Sequence, residues 1–192
     1  VNAQIQTGLA SSERVFSILD TKIMVHDKEF THDFHEFKKN ISFKNVYFKY
    51  ELGEKPSLKN INITIEKGDT IAIVGTSGAG KSTFVDLIPR FYDVTSGEII
   101  IDNINIKDIK IKELRKQMGI VTQNTILFND TITNNIKYGK LEASNQEVEK
   151  VAELAGITEF SNSLEKKLET VIGEGGIKLS GGQRQRVAIA RA

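Results

Sequence analysis

Three observations predict an α/β fold. Apolar residues alternate with polar ones over roughly positions 41–65, an apolar run at 70–74 leads straight into a glycine-rich loop, and a helical apolar period takes over after Gln123. Strands therefore come early and helices late, with the loop between them. The 192 residues suffice for one domain with a real core. Hydrophobic content of 39%, charged content of 27% and a net charge of +1 lack the basic excess that nucleic acid would call for. The absence of cysteine excludes a disulfide framework or a thiolate metal site and fits a reducing compartment. No run of about eighteen apolar residues is present, so no membrane-spanning helix is expected in these residues. Val1 to Ala10 lacks the basic start and apolar centre of a signal peptide.

In chain order, Val1 to Asp20 carries Val1, Ile5, Leu9, Val15, Phe16, Ile18 and Leu19 at mostly helical spacing, which reads as a helix packing on something outside the chain. Residues 21–40 are charged and hold His26, His32 and His35 without an i,i+4 pair, so a solvated linker is expected rather than a metal site. Ile41 to Tyr50 begins the β-region, Ile61, Ile63 and Ile65 mark a second strand, and Lys67-Gly68-Asp69 turns into a buried strand at Thr70 to Val74. Further strands are expected at Glu98 to Asp102 and Gly119 to Gln123, with a helix over Asp108 to Met118 between them. Asp102 ends an apolar strand as a metal-binding carboxylate would, but it stands in a hairpin with Asn103 at the turn and is read as structural. Ser144 and Glu147 form a capping box before Val148, Val151, Ala152 and Leu154, and Gly156 is a C-terminal cap. The chain opens without Met in what reads as mid-helix and stops inside another, so both ends read as cut.

The loop is Gly75-Thr76-Ser77-Gly78-Ala79-Gly80-Lys81-Ser82. A polyphosphate wrapped by backbone N–H groups needs positions without a Cβ, which Gly75, Gly78 and Gly80 supply. Lys81 offers a flexible charge to the outer phosphates, and the Ser82 hydroxyl is placed to ligate Mg²⁺. The helix beginning at Thr83 turns its positive end to the same anion. A second motif, Leu179-Ser180-Gly181-Gly182-Gln183, has capping-box spacing before Arg184 to Arg191. An ordinary helix cap is the alternative to a second anion site here, and beside the loop at Gly75 the motif reads as the anion site.

On these motifs the chain resembles the ATP-binding cassette family over essentially its whole length. Gly75 to Ser82 is similar to that family's Walker A loop, Leu179 to Gln183 to its signature motif, and Gln123 to its Q-loop glutamine. Tyr50, which pattern alone would place in a strand core, resembles the aromatic that stacks on adenine. The resemblance implies a P-loop NTPase fold of the ABC ATPase type, with an N-terminal antiparallel β-region, a P-loop core and a helical subdomain over about 124–178. It implies ATP and Mg²⁺ as cofactors, with Tyr50, Gly75, Thr76, Ser77, Gly78, Ala79, Gly80, Lys81, Ser82, Thr83 and Gln123 around the nucleotide. It further implies Ser82 and Gln123 at the metal, Lys81 and Gln123 as catalytic, and Ser180, Gly181, Gly182 and Gln183 acting across a head-to-tail dimer.

Three stretches resemble exporters in which membrane and ATPase parts share one chain. Residues 1–20 are similar to the end of the last transmembrane helix with its linker, Arg90 to Asp93 and Leu127 to Ile132 to the coupling surface, and Thr170 to Gly176, including Glu174, to a loop that meets the membrane domain. The likeness is to bacterial lipid-flipping or multidrug exporters. It implies the cytoplasmic face of the inner membrane, a transmembrane domain and a second ATP-binding domain as partners, and no nucleic acid. The division expected is 1–20, a linker at 21–40, and an ATP-binding domain at 41–192. The family's metal-binding Asp, catalytic Glu and switch His would follow Ala192, so the core sheet is expected to be incomplete and the isolated chain poorly soluble and inactive as an ATPase. A soluble ATPase acting on ribosomes or DNA, and a nucleotide-gated module without turnover, are the alternatives.

Overall fold

The computed structural model describes residues 2–29 and 31–192; the side chains of residues 2–5, 7 and 10 are not described. The chain divides into two units, Val1–Gln117 and Met118–Ala192. In the first, β1 (Asn40–Phe48) pairs antiparallel with β2 (Leu58–Glu66) on one side and with β3 (Ser96–Ile101) on the other, and β4 (Ile104–Asn105) pairs with β3. The order β2-β1-β3-β4 makes β1 central, and its Phe43, Val46 and Phe48 are buried. A strict period of two would send Phe43 and Val46 to opposite faces. The register shifts between them, with Asn45 at a φ of 47°, so an extra residue in the strand returns Val46 to the core side.

On this sheet sits α2 (Lys81–Leu87), the helix that the loop opens into. Phe84 stacks on Phe43 with ring centroids 4.4 Å apart and planes 16° from parallel, and Leu87 is fully buried. Burying each of these two side chains is worth about 1.5–3 kcal/mol, so the seat of α2 is an apolar one. The helix expected over 108–118 is shorter, α3 (Ile111–Lys116), after a 3₁₀ turn at Ile106–Asp108.

Residues 21–40 leave His26, His32 and His35 exposed, and no cluster of metal-ligating side chains occurs among the described residues. Their backbone is nonetheless strapped along the unit. Arg90 Nη2 donates to His26 O at 3.1 Å, Ile111 N to Asp27 Oδ1 at 2.8 Å, and Phe34 N to Glu113 Oε2 at 2.9 Å, while the Phe34 ring is buried. The Asp102 carboxylate accepts from three successive amides, Lys38 and Lys39 at 2.6 Å and Asn40 at 3.1 Å. Asp102 is therefore a clamp for the chain entering β1. Ahead of the strap, α1 (Asn2–Leu19) leaves Leu9, Val15, Phe16, Ile18 and Leu19 exposed, and no helix among the described residues is long and apolar enough to cross a membrane.

Two expected strands do not form. Residues 70–74 and 119–123 enter no ladder among the described residues, and Ile71, Ile73, Val74, Ile120 and Val121 are exposed. The continuous apolar run Ile71 to Val74 and the adjacent pair Ile120 and Val121 specify strands covered on both faces, and a strand exists only by pairing. The pattern gave the burial such a segment requires but could not supply a neighbour.

The second unit packs α4 (Ile132–Lys137), α5 (Asn145–Leu154), α6 (Ile157–Ser161) and α7 (Gly181–Arg191) around Ile132, Val148, Ile157, Ile172 and Val187. The capping box of α5 forms as the spacing predicts, and Gly156 follows the helix with a φ of 67°. Lys140 Nζ lies 2.6 Å from Glu147 Oε1. That ammonium, then the Ser144 N–H and hydroxyl, hold the Glu147 carboxyl down to about 2. A depressed carboxyl contributes stability that is present above its ordinary 4.5 and is lost as the pH falls through about 2. The protection factors of the amides in the first turn of α5, taken relative to their intrinsic exchange rates at each pH, are therefore predicted to fall across that window in the wild type and to stay flat across it in Glu147→Gln. Identical acid profiles in the two proteins would refute this.

Candidate nucleotide-binding site

The loop and Tyr50 lie in the first unit, Gln123 and the Ser180 motif in the second. At the loop, Gly80 has a φ of 85°, and a Cβ there would stand 2.5 Å from Ser57 O and 3.0 Å from Leu58 Cδ2. Glycine at this point lets the helix start against the beginning of β2. Ala79 N donates to Thr76 O at 3.2 Å and Phe84 N to Gly80 O at 2.9 Å, while no backbone bond among the described residues engages the N–H of Gly78 or Gly80. Residues Gly75 to Ala79 and Ser82 are exposed. Lys81 Nζ donates to Gly75 O at 2.9 Å and to Thr76 O at 2.8 Å, so its ammonium folds back over the loop that precedes it. Two of its three donors are thereby used on carbonyls that an anion can replace. Open amides, a tethered cation and the start of a helix suit a polyphosphate, and the exposed Ser82 hydroxyl suits a hard divalent cation.

Tyr50 is half-buried, and its hydroxyl shares a 3.0 Å hydrogen bond with Thr83 Oγ1 in the first turn of α2. Its ring meets Phe48 edge-on at 4.7 Å and Tyr92 edge-on at 5.2 Å. The structure thus brings Tyr50 onto the loop's helix. It also sets Tyr92, read from the sequence only as part of the stretch Arg90 to Asp93, against Tyr50, a contact that no local pattern shows because it spans forty-two positions. The Thr83 side chain is 94% buried, with its hydroxyl turned to Tyr50.

In the second unit Ser180 caps α7. Its Oγ accepts from Gln183 N at 3.3 Å, and Ser180 N donates to Gln183 Oε1 at 2.8 Å. A Cβ on Gly182 would meet nothing within 4 Å, and one on Gly181 only the far end of Arg184. Packing within the chain does not demand these glycines, and they leave the helix start bare. Gln123 is exposed beside Thr122, whose hydroxyl donates to Asn124 O at 2.8 Å. Glu174 is exposed in a short 3₁₀ turn, and Gly176 behind it lies against Leu127 and Arg184.

The glycine loop, its helix and the bare capping box define a nucleotide-binding domain, and residues 58–192 match the family model described as ABC transporter. The chain belongs to the ABC transporter family. It is 48% identical over 192 residues to an ATP-dependent lipid A-core flippase of Syntrophus aciditrophicus, with all of this chain and 32% of that protein aligned. It is 49% identical over 194 residues to one of Pasteurella multocida, covering 33% of it. A solved bacterial Atm1-family ABC exporter with ATP bound superposes with a TM-score of 0.88 at 42% identity, over 97% of this chain and 32% of that one. The chain therefore has the ABC ATPase fold and spans about a third of the length of the relatives it matches.

Gly80→Ala would force a left-handed φ on an L-residue and drive its methyl into Ser57. It is predicted to weaken binding of a fluorescent ATP analogue by at least about tenfold, equivalent to about 1.4 kcal/mol. Wild-type affinity in the variant would contradict the loop geometry.

Proposed function

We propose that this chain is the ATP-binding and ATP-hydrolysing domain of a bacterial membrane exporter, working at the cytoplasmic face of the inner membrane. The observation that carries the reading is the coexistence, in one chain, of a tethered Lys81 in an open amide loop and a bare capped helix start at Ser180. In this reading the loop amides, Lys81 and Thr76 to Gly80 grip the phosphates and Tyr50 offers its π-face to the adenine. Ser82 and Gln123 hold Mg²⁺, which supplies neutralisation of charge on the transferring phosphoryl group. Lys81 adds its ammonium where that charge develops and leaves its two carbonyl partners to do so. Gln123 orients toward the outer phosphate. Ser180, Gly181, Gly182 and Gln183 of a second copy cover the nucleotide from the other side, which accounts for glycines that nothing within the chain requires.

Residues 1–20 then serve as the end of a transmembrane helix with its linker, 21–40 as the connection and 41–192 as the ATP-binding domain, with a helical subdomain at about 124–178. Glu174 and its turn face the membrane domain. Closure on ATP and reopening after hydrolysis drive transport. The flippase names of the relatives make a lipid the substrate class favoured here.

In the full-length protein, Lys81→Ala is predicted to lower ATP hydrolysis by at least about 100-fold, the scale expected for losing a charge aimed at the transition state. Ser180→Ala, in the other half of the composite site, should lower it while leaving ATP binding to isolated subunits intact. Turnover that survives Lys81→Ala would overturn the reading.

A further inference from the structure

The segment that carries Gln123 is held at both of its ends by Arg191, the last residue of α7, and by Ala192, which caps that helix; α7 is the helix that Ser180 opens. On the near side, a Cβ on Gly119 would lie 2.5 Å from the Ala192 carbonyl oxygen, so only glycine lets the backbones meet this closely. On the far side, Arg191 Nη1 donates to Ile126 O at 2.7 Å. The rest of the guanidinium is fixed on Asn135, with Nε on its backbone oxygen at 3.0 Å and Nη2 on its Oδ1 at 2.9 Å. Asn135 is 99% buried and fully used: its amide also exchanges two hydrogen bonds with the Phe128 backbone and donates to Thr131 O. The Arg191 guanidinium lies over the Phe128 ring at 5.6 Å. A Cβ on Gly139 would overlap the Arg191 carbonyl, so α4 is pressed on the same point. An eleven-residue α-helix transmits displacement along its axis as a rod.

We propose that Arg191 is a positioning residue that locks the Gln123 segment to the signature helix, so that Gln123 at one nucleotide and Ser180 at the other move as one body. This rests on the function proposed above, in which Gln123 serves the chain's own nucleotide and Ser180 the partner's. The planar fork of Arg191 is what the lock needs: three donors engage three acceptors on two segments, a geometry a lysine cannot reproduce. With the lock in place, a nucleotide bound at one site of a dimer sets the position of the glutamine at the other. Cooperativity between the two sites follows from that coupling.

The test uses the full-length protein. Arg191→Gln and Arg191→Lys are predicted to lower kcat by roughly 10–100-fold, the scale of a small misplacement of a catalytic group, and to remove cooperativity in ATP. Binding of a fluorescent ATP analogue should stay at the wild-type level, since the Gly75–Ser82 loop is untouched. Wild-type kcat and cooperativity in both variants would overturn the proposal, as would a loss of analogue binding equal to the loss of kcat. A second arm needs no Arg191 variant: nitroxides on Asn124→Cys and Gln185→Cys in a cysteine-free background should give one narrow distance, unchanged by ATP. A distance that shifts or broadens with ATP would show the segment and the helix moving apart and would sink the lock. If the unmodified protein hydrolyses no ATP, the proposed function fails by itself and the distance measurement still decides the lock.

Discussion

The first unit is organised around the seating of α2 on the antiparallel sheet. A loop that wraps phosphate with bare amides has almost no apolar surface of its own, so its shape must be borrowed from what it is attached to. The Phe43–Phe84 stack and the buried Leu87 fix the helix, and the contact of Gly80 with Ser57 fixes where the helix begins. The bulge at Asn45 serves the same end, because it keeps Val46 and Phe43 together on the face that α2 covers. Apolar packing thus determines where a polar, solvent-facing loop presents its donors. The Tyr50–Thr83 hydrogen bond extends this arrangement by tying the end of β1's aromatic edge to the same first turn.

The second unit solves a different problem with different means. Its helices are short, and α4 and α6 have too few residues to be stable alone, so tertiary contacts must hold them. The core around Ile132, Val148 and Val187 supplies part of that. A fully satisfied polar junction adds to it: the Asn135 amide among Phe128, Thr131 and Arg191. Buried amides of this kind specify one arrangement, because every alternative leaves a donor or acceptor without a partner.

Features whose chemistry is complete within a few residues were legible in the sequence. The capping boxes at Ser144 and Ser180 close on partners three positions away, the cap at Gly156 within its own turn, and Lys81 on carbonyls five and six positions back in its loop, so spacing alone describes them. Features that depend on distant partners were not. The runs at 70–74 and 119–123 read as strands because their composition is right, yet pairing is a property of a neighbour. The charged stretch at 21–40 read as solvated, and its side chains largely are, but its backbone is bound by Asp102, Glu113 and Arg90, which lie sixty to eighty residues further on. Nothing in the pattern of an isolated Arg or Asp announces that it will hold the main chain of a remote segment. The contact of Tyr92 with Tyr50 and those of Arg191 with Ile126 and Asn135 are illegible for the same reason.

The triple grip of Asp102 has a mechanical meaning. A pull on residues ahead of β1 reaches the amides of Lys38 and Lys39 before it reaches the first ladder bond, Lys67 N to Lys39 O at 2.6 Å, and one carboxylate on the β3–β4 hairpin takes it up. The hairpin works as the strain relief on a cable does: tension arriving along the cord is discharged into the housing and spares the connector, here the strand whose Phe43 supports the phosphate loop.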